Sequence, residues 1–467
     1  MTPLSPVDQL FLWMEKRQQP MHVAGLQLFE FPEDAGPDYV AQLAASLRQY
    51  SKVAAPFNKR IVTRFGQAFW EEDNQFDLEH HFRYEALPTP GRVRELLALV
   101  SAEHSNLMDR ERPLWEFHLI EGLQGRRFAV YSKIHHSVVD GVSAMRIGTK
   151  ALSTDPHARD LPPVWARQQP KKEGGIPNPL DLAGSMARLT AGMSKQFATV
   201  PNVAREIYKS TQKAKTDPNY VSIFQAPHCL LNERITGSRR FAAQSYPMGR
   251  LKAIAKAFGG TLNDIILAMC GSALRDYLIS QRALPDRPLI AMVPMSLRQD
   301  DSAGGNQIAT ILANLGTHVA DPATRIEVIR ASIKDSKDRF AGMTQEEILN
   351  YTAITLAPTG LTLMTGINPA WQAFNVVISN VPGPREPLYW NGARLQGIYP
   401  VSIVLDRIAL NITITSYCDQ VEFGLIACRR TLPSMQKMLA YLERSLYDLE
   451  VAADITRTEN EDTLIRV

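Results

Sequence analysis

Hydrophobic and polar residues repeat along the chain in two patterns, one typical of strands and one typical of helices, and these patterns predict the secondary structure. Alternating or short apolar stretches predict strands at residues 22–29, 114–120, 128–134, 288–294, 307–315, 375–381, 410–417 and 421–427. Apolar residues spaced three and four apart predict helices at residues 38–50, 95–108, 142–152, 262–278, 321–340 and 433–451. Short connections between successive strands, such as residues 121–125, indicate hairpins.

This mixture of helices and hairpin strands determines the predicted fold class. It occurs in both halves of the chain, without a dinucleotide fingerprint or a phosphate loop. We therefore expect an α/β (α+β) fold with mixed sheets rather than a wound parallel sheet. A chain of 467 residues is also too long for one ordinary core, so two domains are expected.

A change of composition near residue 161 separates the two domains. Prolines and glycines between residues 162 and 179 predict a linker, and apolar residues between Leu182 and Phe197 predict an amphipathic helix within it. The predicted organisation is an N-terminal domain at 1–160, a linker at 161–215 and a C-terminal domain at 216–467.

The linker is basic. Residues 163–215 carry nine Lys and Arg against three Asp and Glu, an excess of six, whereas the whole chain has a net charge of only +3. One interpretation is a solvated helix that packs against the domains. The other is an interfacial helix that brings the protein to anionic lipid.

Composition excludes several classes of protein. A net charge of +3 gives no indication of nucleic-acid binding. Four cysteines without framework spacing are typical of reduced thiols in a cytosolic protein. Neither an export signal nor an apolar run of the roughly 18 to 20 residues that span a bilayer is evident. The protein is expected to be cytoplasmic, either soluble or on a membrane surface.

The candidate chemistry lies on a strand-to-helix corner, His135-His136-x3-Asp140-Gly141. Imidazole takes and returns protons near neutral pH, so a histidine on a rigid corner is a candidate general base. A metal site is not expected, because adjacent histidines on an extended chain point to opposite sides and no further ligand cluster has suitable spacing. A second pair, His80-His81, lacks the Asp-Gly and is interpreted as structural.

The corner matches the HHxxxDG motif of the coenzyme A-dependent acyltransferase superfamily. Further motifs resemble the bacterial wax ester synthase/diacylglycerol acyltransferase family and follow in family order over nearly the whole chain. They are Leu4-Ser5-Pro6-x-Asp8, Pro20-Met21-His22-Val23, Pro113-Leu114-Trp115-Glu116, Asn263-Asp264, Pro294-Met295-Ser296-Leu297-Arg298, Gly305-Asn306 and Asn380-Val381-Pro382-Gly383-Pro384.

The resemblance implies transfer of a fatty acyl group from acyl-CoA to a long-chain fatty alcohol or to diacylglycerol. Acyl-CoA is then a substrate, and no permanently bound cofactor is expected. The implied architecture is two chloramphenicol-acetyltransferase-like domains with the active site at their interface. Attachment to the inner membrane or to lipid inclusions is a further expectation.

The resemblance also assigns roles at the corner. His136 is the general base, and the absence of an implied serine or cysteine nucleophile points to direct attack. His135 supports the loop. Asp140 is a structural brace paired with Arg298, and Gly141 is expected to permit close backbone approach at the helix start.

Two side chains are candidate donors to the oxyanion of the tetrahedral intermediate. Asn263 opens a helix, and Ser379 precedes Asn380 and the Pro-Gly-Pro break. Each also has a structural interpretation, helix capping for Asn263 and a strand-end role for Ser379. Asp264 and Asn380 are assigned to the same site, and Asp264 has the spacing of a capping box with Thr261.

Two other functions are compatible with the sequence. An enzyme of the same fold can take its acyl group from a carrier protein, although no carrier domain is fused to this chain. A non-catalytic scaffold can coat neutral-lipid droplets, which the basic linker favours and the intact HHxxxDG motif opposes.

Overall fold

The computed structural model describes residues 1–64, 66–139, 141–167, 201–296, 308–365 and 372–455. Several predicted features lie outside these residues. They are Asp140, Arg298, Gly305-Asn306 and the amphipathic helix between Leu182 and Phe197.

Helices and strands alternate in both halves. The strands are β1 (Thr2–Pro3), β2 (His22–Glu30), β3 (Lys59–Arg64), β4 (Gln67–Glu72), β5 (Phe82–Ala86), β6 (Trp115–Leu123), β7 (Arg127–His135), β8 (Arg239–Pro247), β9 (Ile290–Ser296), β10 (Ile308–Asn314), β11 (Val376–Val381), β12 (Tyr389–Trp390), β13 (Ala393–Val401), β14 (Leu410–Tyr417) and β15 (Gln420–Cys428). The helices are α1 (Pro6–Met14), α2 (Tyr39–Arg48), α3 (Val93–Glu103), α4 (Gly141–Lys150), α5 (201–216), α6 (Met248–Ala257), α7 (Leu262–Ser280), α8 (Pro322–Ala341), α9 (Gln345–Thr365) and α10 (Lys437–Ala452).

Two six-stranded mixed sheets form the framework, which confirms the predicted fold class. The first sheet has the order β12-β13-β2-β7-β6-β5, and the second has the order β10-β9-β11-β14-β15-β8. Most neighbours are antiparallel, but β5 runs parallel to β6, and β11 runs parallel to both β9 and β14. A small third sheet, β1-β4-β3, was not predicted.

Two consecutive strands of the second half, β12 and β13, belong to the first sheet. β13 follows β11 of the second sheet in the chain, yet it pairs with β2 of the first sheet, from Arg394 opposite Glu30 to Val401 opposite Ala24. The first sheet is therefore built from two distant segments. The predicted division at residues 160 and 216 stays a prediction about chain segments.

The two sheets pack closely where this strand crosses. A Cβ atom built on Gly424 in β15 would overlap the carbonyl oxygen of Pro400 in β13. Glycine at this position therefore allows the two backbones to approach. The buried core is continuous across the contact, because Tyr399 and Val401 belong to the same apolar cluster as Phe423 and Leu425.

Helix α3 joins the halves at a second place. The backbone N–H groups of Phe241 and Arg239 in β8 donate to the hydroxyls of Ser101 and Ser105, each at 2.9 Å. Since β8 is the outer strand of the second sheet, Ser101 in α3 and Ser105, two residues beyond the end of α3, satisfy donors on the free side of that strand.

Tertiary contacts shorten one predicted helix. α3 ends at Glu103 rather than at Met108, since the buried ammonium of Lys133 donates to the carbonyl oxygens of Glu103 and Asn106. At the other end of the chain, α10 begins at Lys437 rather than Pro433.

Across the described residues, no single helix is long and apolar enough to cross a membrane. The pair α6 and α7 reaches that length and composition only together, with a bend of 99° between them.

Candidate active site

The predicted strand-to-helix corner is present. β7 ends at His135, which lies opposite His22 in β2, and the N–H of His136 donates to the carbonyl of Met21 at 2.9 Å. α4 begins at Gly141. Both histidines are thus placed by the backbone of a paired strand, the kind of rigid support that a reacting group needs.

His135 is fully buried and points into the protein. Its Nδ1 atom lies 2.7 Å from the hydroxyl of Ser137 and accepts the backbone N–H of Ser137 at 3.1 Å. Its Nε2 atom lies 3.4 Å from Oε2 of Glu15, somewhat beyond the usual hydrogen-bond range.

His136 is half-buried, and its ring stacks on Phe11. The two ring centroids are 4.1 Å apart and the planes are inclined by 24°. Phe11 also packs against Met14 and Met21, a small cluster at the end of α1. No pattern in the sequence indicated this contact of Phe11.

An apolar cavity lies between the first sheet and α4, directly beside the corner. Ile134 and Gly141, which flank His136 in the chain, both line it. The cavity contains about 1200 Å³ of space, part of it open to solvent.

A row of small residues keeps this space open. In the sheet, Gly25 lies opposite Ser132 on one side and Pro400 on the other. In α4, Gly148 faces the cavity, and a Cβ atom on Gly25 or Gly148 would meet no described atom within 4 Å. Small side chains face one another across the gap, where larger ones would fill it.

Aromatic side chains form part of the cavity wall. They belong to an apolar cluster of the first sheet against which Val164 packs, and Pro163 and Val164 also line the cavity. These aromatic residues are Phe29, Phe57, Trp115, Phe117 and Trp390.

The second sheet reaches the same cavity. Val381 in β11 and Thr413 in β14 line it, and the hydroxyl of Thr415 lies 3.4 Å from the sulfur of Met145 in α4. Ser379, which is half-buried, is paired with Thr413, and Asn380 is exposed. The structure therefore brings the Ser379 motif to the junction where α4 meets the second sheet.

The first turn of α7 holds the other predicted oxyanion residues. Asp264 accepts the backbone N–H and the hydroxyl of Thr261, both at 2.8 Å, so it completes the capping box. Asn263 is half-buried beside it. The capping of Asp264 is structural, and a contact of either residue with substrate stays a prediction.

The role predicted for Gly141 is not supported. A Cβ atom there would meet no described atom within 4 Å, so close backbone approach does not explain this glycine among the described residues. Its neighbour Asp140 and the predicted partner Arg298 lie outside the described residues, and their pairing stays a prediction.

Behind the corner lies a buried charged network that the sequence did not predict. The ammonium of Lys133 is 2.6 Å from Oε2 of Glu116, and His118 bridges Glu116 and Glu85 at 3.3 and 3.0 Å. Burial alone would raise the pKa of Glu116, but His118 and Lys133 lower it to about 2. The network stiffens strands β6 and β7, which deliver the histidines.

Part of this network has the composition of a metal site. Ligand atoms of Glu103, Glu116 and His118 lie within 4.8 Å of one another. The ammonium of Lys133 already neutralises Glu116, which gives the cluster a structural explanation.

Two further histidines connect the halves. Nε2 of His104 donates to the carbonyl of Ser402 at 3.0 Å, and its Nδ1 lies 2.8 Å from the Tyr131 hydroxyl. His22 in turn donates to the carbonyl of His104 at 3.0 Å. Burial lowers the pKa of His104 to about 3, so His104 is uncharged at neutral pH.

The second pair, His80-His81, is structural in part, since a ring nitrogen of buried His81 lies 2.8 Å from the carbonyl oxygen of Trp115.

The arrangement combines a half-buried imidazole with an apolar cavity at the junction of two sheets. Such an imidazole can exchange a proton near neutral pH, and such a cavity suits a hydrocarbon chain. Proton transfer on a lipid substrate is the chemistry that this geometry supports.

Comparison with known proteins agrees with this chemistry. Residues 4–266 match the family model of the wax ester synthase/diacylglycerol acyltransferase catalytic domain, and residues 304–450 match its C-terminal domain. An O-acyltransferase WSD of Acinetobacter baylyi is 50% identical over 96% of each chain. A putative diacylglycerol O-acyltransferase of Mycobacterium bovis is 43% identical over 97% of this chain and 99% of its own.

Solved structures are similar over the same length. The wax ester synthase/diacylglycerol acyltransferase from Marinobacter aquaeolei has 55% identity, a TM-score of 0.81, and coverage of 97% of this chain and 100% of its own. The first condensation domain of the calcium-dependent antibiotic synthetase shares the fold at 16% identity, with a TM-score of 0.58 and 99% coverage of each chain. Family models, relatives and fold agree: the chain belongs to the wax ester synthase/diacylglycerol acyltransferase family.

Proposed function

We propose that the protein transfers a fatty acyl group from acyl-CoA to a long-chain fatty alcohol or to diacylglycerol, with His136 as general base. The observation that carries this proposal is the stacked, half-buried imidazole of His136 next to a large apolar cavity. Membership of the family supports the class of reaction.

The reaction needs one proton carrier and no acyl-enzyme. His136 takes the proton of the alcohol while the alcohol oxygen bonds to the thioester carbon. The tetrahedral intermediate then breaks its C–S bond, and His136 returns the proton to the thiolate of coenzyme A. The products are an oxygen ester and free coenzyme A.

The oxyanion of that intermediate needs hydrogen-bond donors, each worth a few kcal/mol. The position of Ser379 supports such a role, because it lies near the end of β11, two residues before Val381 in the cavity wall. Asn263 remains our second candidate donor. Asp140 and Arg298 are proposed to brace the loop between β7 and α4.

The acyl chain is proposed to lie in the cavity under α4. Hydrocarbon gains roughly 25 cal/mol for each Å² removed from water, so a wall of aliphatic and aromatic side chains favours it. The small residues Gly25 and Gly148 supply the space. The thioester carbon would then lie near His136, which is flanked in the chain by the lining residues Ile134 and Gly141.

Contact with a lipid surface is proposed for α1 and α5. Trp13 in α1 is 65% exposed, and so is Tyr208 in α5. Arg205 and Lys209, beside Tyr208, are exposed cations. Exposed aromatic side chains next to cations are typical of helices that lie on anionic bilayers, where the proposed substrates also reside.

Replacement of the proposed base tests the mechanism. In a mixture of palmitoyl-CoA and hexadecanol, we expect His136→Ala to release free thiol about 10²- to 10⁴-fold more slowly than wild type. His80→Ala, at an exposed histidine, is the control and should match wild type. Thiol release by His136→Ala at the wild-type rate contradicts the mechanism, and activity with an acyl carrier protein alone would favour the carrier-dependent alternative.

Filling the cavity tests the site of the acyl chain. We expect Gly148→Leu to lower kcat/KM for palmitoyl-CoA relative to decanoyl-CoA by about 10- to 200-fold, since the added side chain occupies space that only the longer chain needs. Gly249→Leu, at an exposed helix position with equal free space, is the control and should leave the ratio unchanged. An equal loss for both chain lengths would refute the assignment.

Vesicle flotation tests the lipid surface. Wild type should float with anionic vesicles, and a variant with Lys195, Arg205 and Lys209 reversed to Glu should float less, because basic residues add about 1 kcal/mol each near such a surface. Neutral vesicles provide the control. Equal flotation of both proteins would favour a solvated linker helix.

A further inference from the structure

Helix α1 presents two side chains to the two histidines of the corner. Phe11 stacks on the ring of His136, and Glu15, four residues later, faces Nε2 of His135 at 3.4 Å. Residues four apart lie on the same side of a helix, and Glu15 directly caps α1. One side of one helix end therefore contacts both rings.

The proton of His135 can be located from its partners. The backbone N–H of Ser137 can only donate, so Nδ1 of His135, which receives it at 3.1 Å, carries no proton. The Ser137 hydroxyl, 2.7 Å away, donates to the same atom. The ring proton therefore lies on Nε2, the atom that faces Glu15.

Glu15 is itself held in place. Its side chain is only 4% exposed, and its Oε1 atom accepts hydrogen bonds from Nε and Nη2 of Arg110 at 3.0 and 2.8 Å. Arg110 also donates to the carbonyl of Leu12 in α1 at 2.8 Å. Burial alone would raise the pKa of Glu15, but His135 and Arg110 lower it, so the carboxylate is ionised at neutral pH.

The same carboxylate also reaches the backbone that holds His136. The N–H of Met21 points to Oε2 of Glu15 at 3.4 Å, and the carbonyl of Met21 accepts the N–H of His136 at 2.9 Å.

We propose that Glu15 and Arg110 are positioning residues for the acyl transfer: Glu15, held by Arg110, keeps the proton of His135 on Nε2 and fixes the Met21 peptide that anchors His136. Phe11 completes the unit by setting the plane of the His136 ring. This inference rests on the proposed function of His136 as base. It assigns to α1 a role in chemistry rather than only in packing.

Glu15→Gln is the direct test. In Glu15→Gln, the amide oxygen that accepts from Arg110 leaves the NH₂ group facing Nε2 of His135. A proton on Nε2 then meets another donor, while the backbone N–H of Ser137 still opposes a proton on Nδ1, so neither tautomer is fixed, as when a buried acid behind a catalytic histidine becomes an amide. We expect kcat to fall about 10- to 100-fold, while KM for palmitoyl-CoA and hexadecanol stays within about twofold of wild type.

Nitrogen NMR of protein with ¹⁵N-labelled histidine reads the tautomer itself. In wild type, Nε2 of His135 should be the protonated nitrogen and Nδ1 the bare one, with the signals assigned by their loss in His135→Gln. In Glu15→Gln this pattern should give way to exchange between tautomers. A purely structural role of Glu15 would leave the pattern unchanged.

Three further variants separate the alternatives. Arg112→Leu, which removes an exposed pair with Asp109 in the same loop, is the control and should retain wild-type kcat. Ser137→Ala should lose less kcat than Glu15→Gln, because Glu15 still faces the proton on Nε2 and the backbone N–H of Ser137 still donates to Nδ1. Since Arg110→Leu leaves a buried carboxylate uncompensated, the double variant Glu15→Gln/Arg110→Leu is used, and it should lose no more kcat than Glu15→Gln alone.

The outcomes distinguish this inference from the proposed function. An inactive His136→Ala together with wild-type kcat in Glu15→Gln would overturn the positioning role only. An active His136→Ala would refute the proposed base whatever Glu15 does. Loss of activity in Ser137→Ala as large as in Glu15→Gln would overturn the inference in favour of a serine relay, and a rise in KM with unchanged kcat would assign Glu15 to binding.

Discussion

The site depends on the pairing of β13, from the second half of the chain, with β2 of the first sheet. β13 leaves the second half, enters the first sheet beside β2, and passes over Gly424 so closely that no side chain fits between the backbones. Ile398 and Pro400 of this strand form part of the cavity wall. The first half therefore cannot complete the cavity alone, and the corner and the second sheet are held at a fixed separation.

The two faces of the first sheet are packed differently, and each kind of packing suits a different part of the proposed function. Protein interiors are normally close-packed, and an empty space in a core lowers stability. Here Gly25, Ser132 and Gly148 leave such a space on one face of the first sheet. On the other face, Lys133 and Glu116 form a dense charged network behind the histidines. The histidines thus lie between a rigid support and room for a long chain.

Periodicity in the sequence predicted most helices and strands, and the corner itself, because these features are local. The crossing of β13 and the small sheet β1-β4-β3 were missed, since pairing between distant strands leaves no local pattern. Phe11 and Glu15 were missed for the same reason: only the folded chain brings α1 onto the corner. The close approach expected at Gly141 has no counterpart among the described residues. The roles of Asn263 and Ser379, and the pairing of Asp140 with Arg298, stay predictions.

In the proposed complex, the fatty acyl chain lies under α4 with its methyl end among the aromatic residues of the first sheet. A palmitoyl-CoA analogue with a photoreactive diazirine at the methyl end measures this directly. After illumination, mass spectrometry should find the label on peptides that contain Trp115, Phe117 or Trp390, and Gly148→Leu should abolish it. Labelling confined to residues outside the cavity wall, unchanged in Gly148→Leu, would contradict the account.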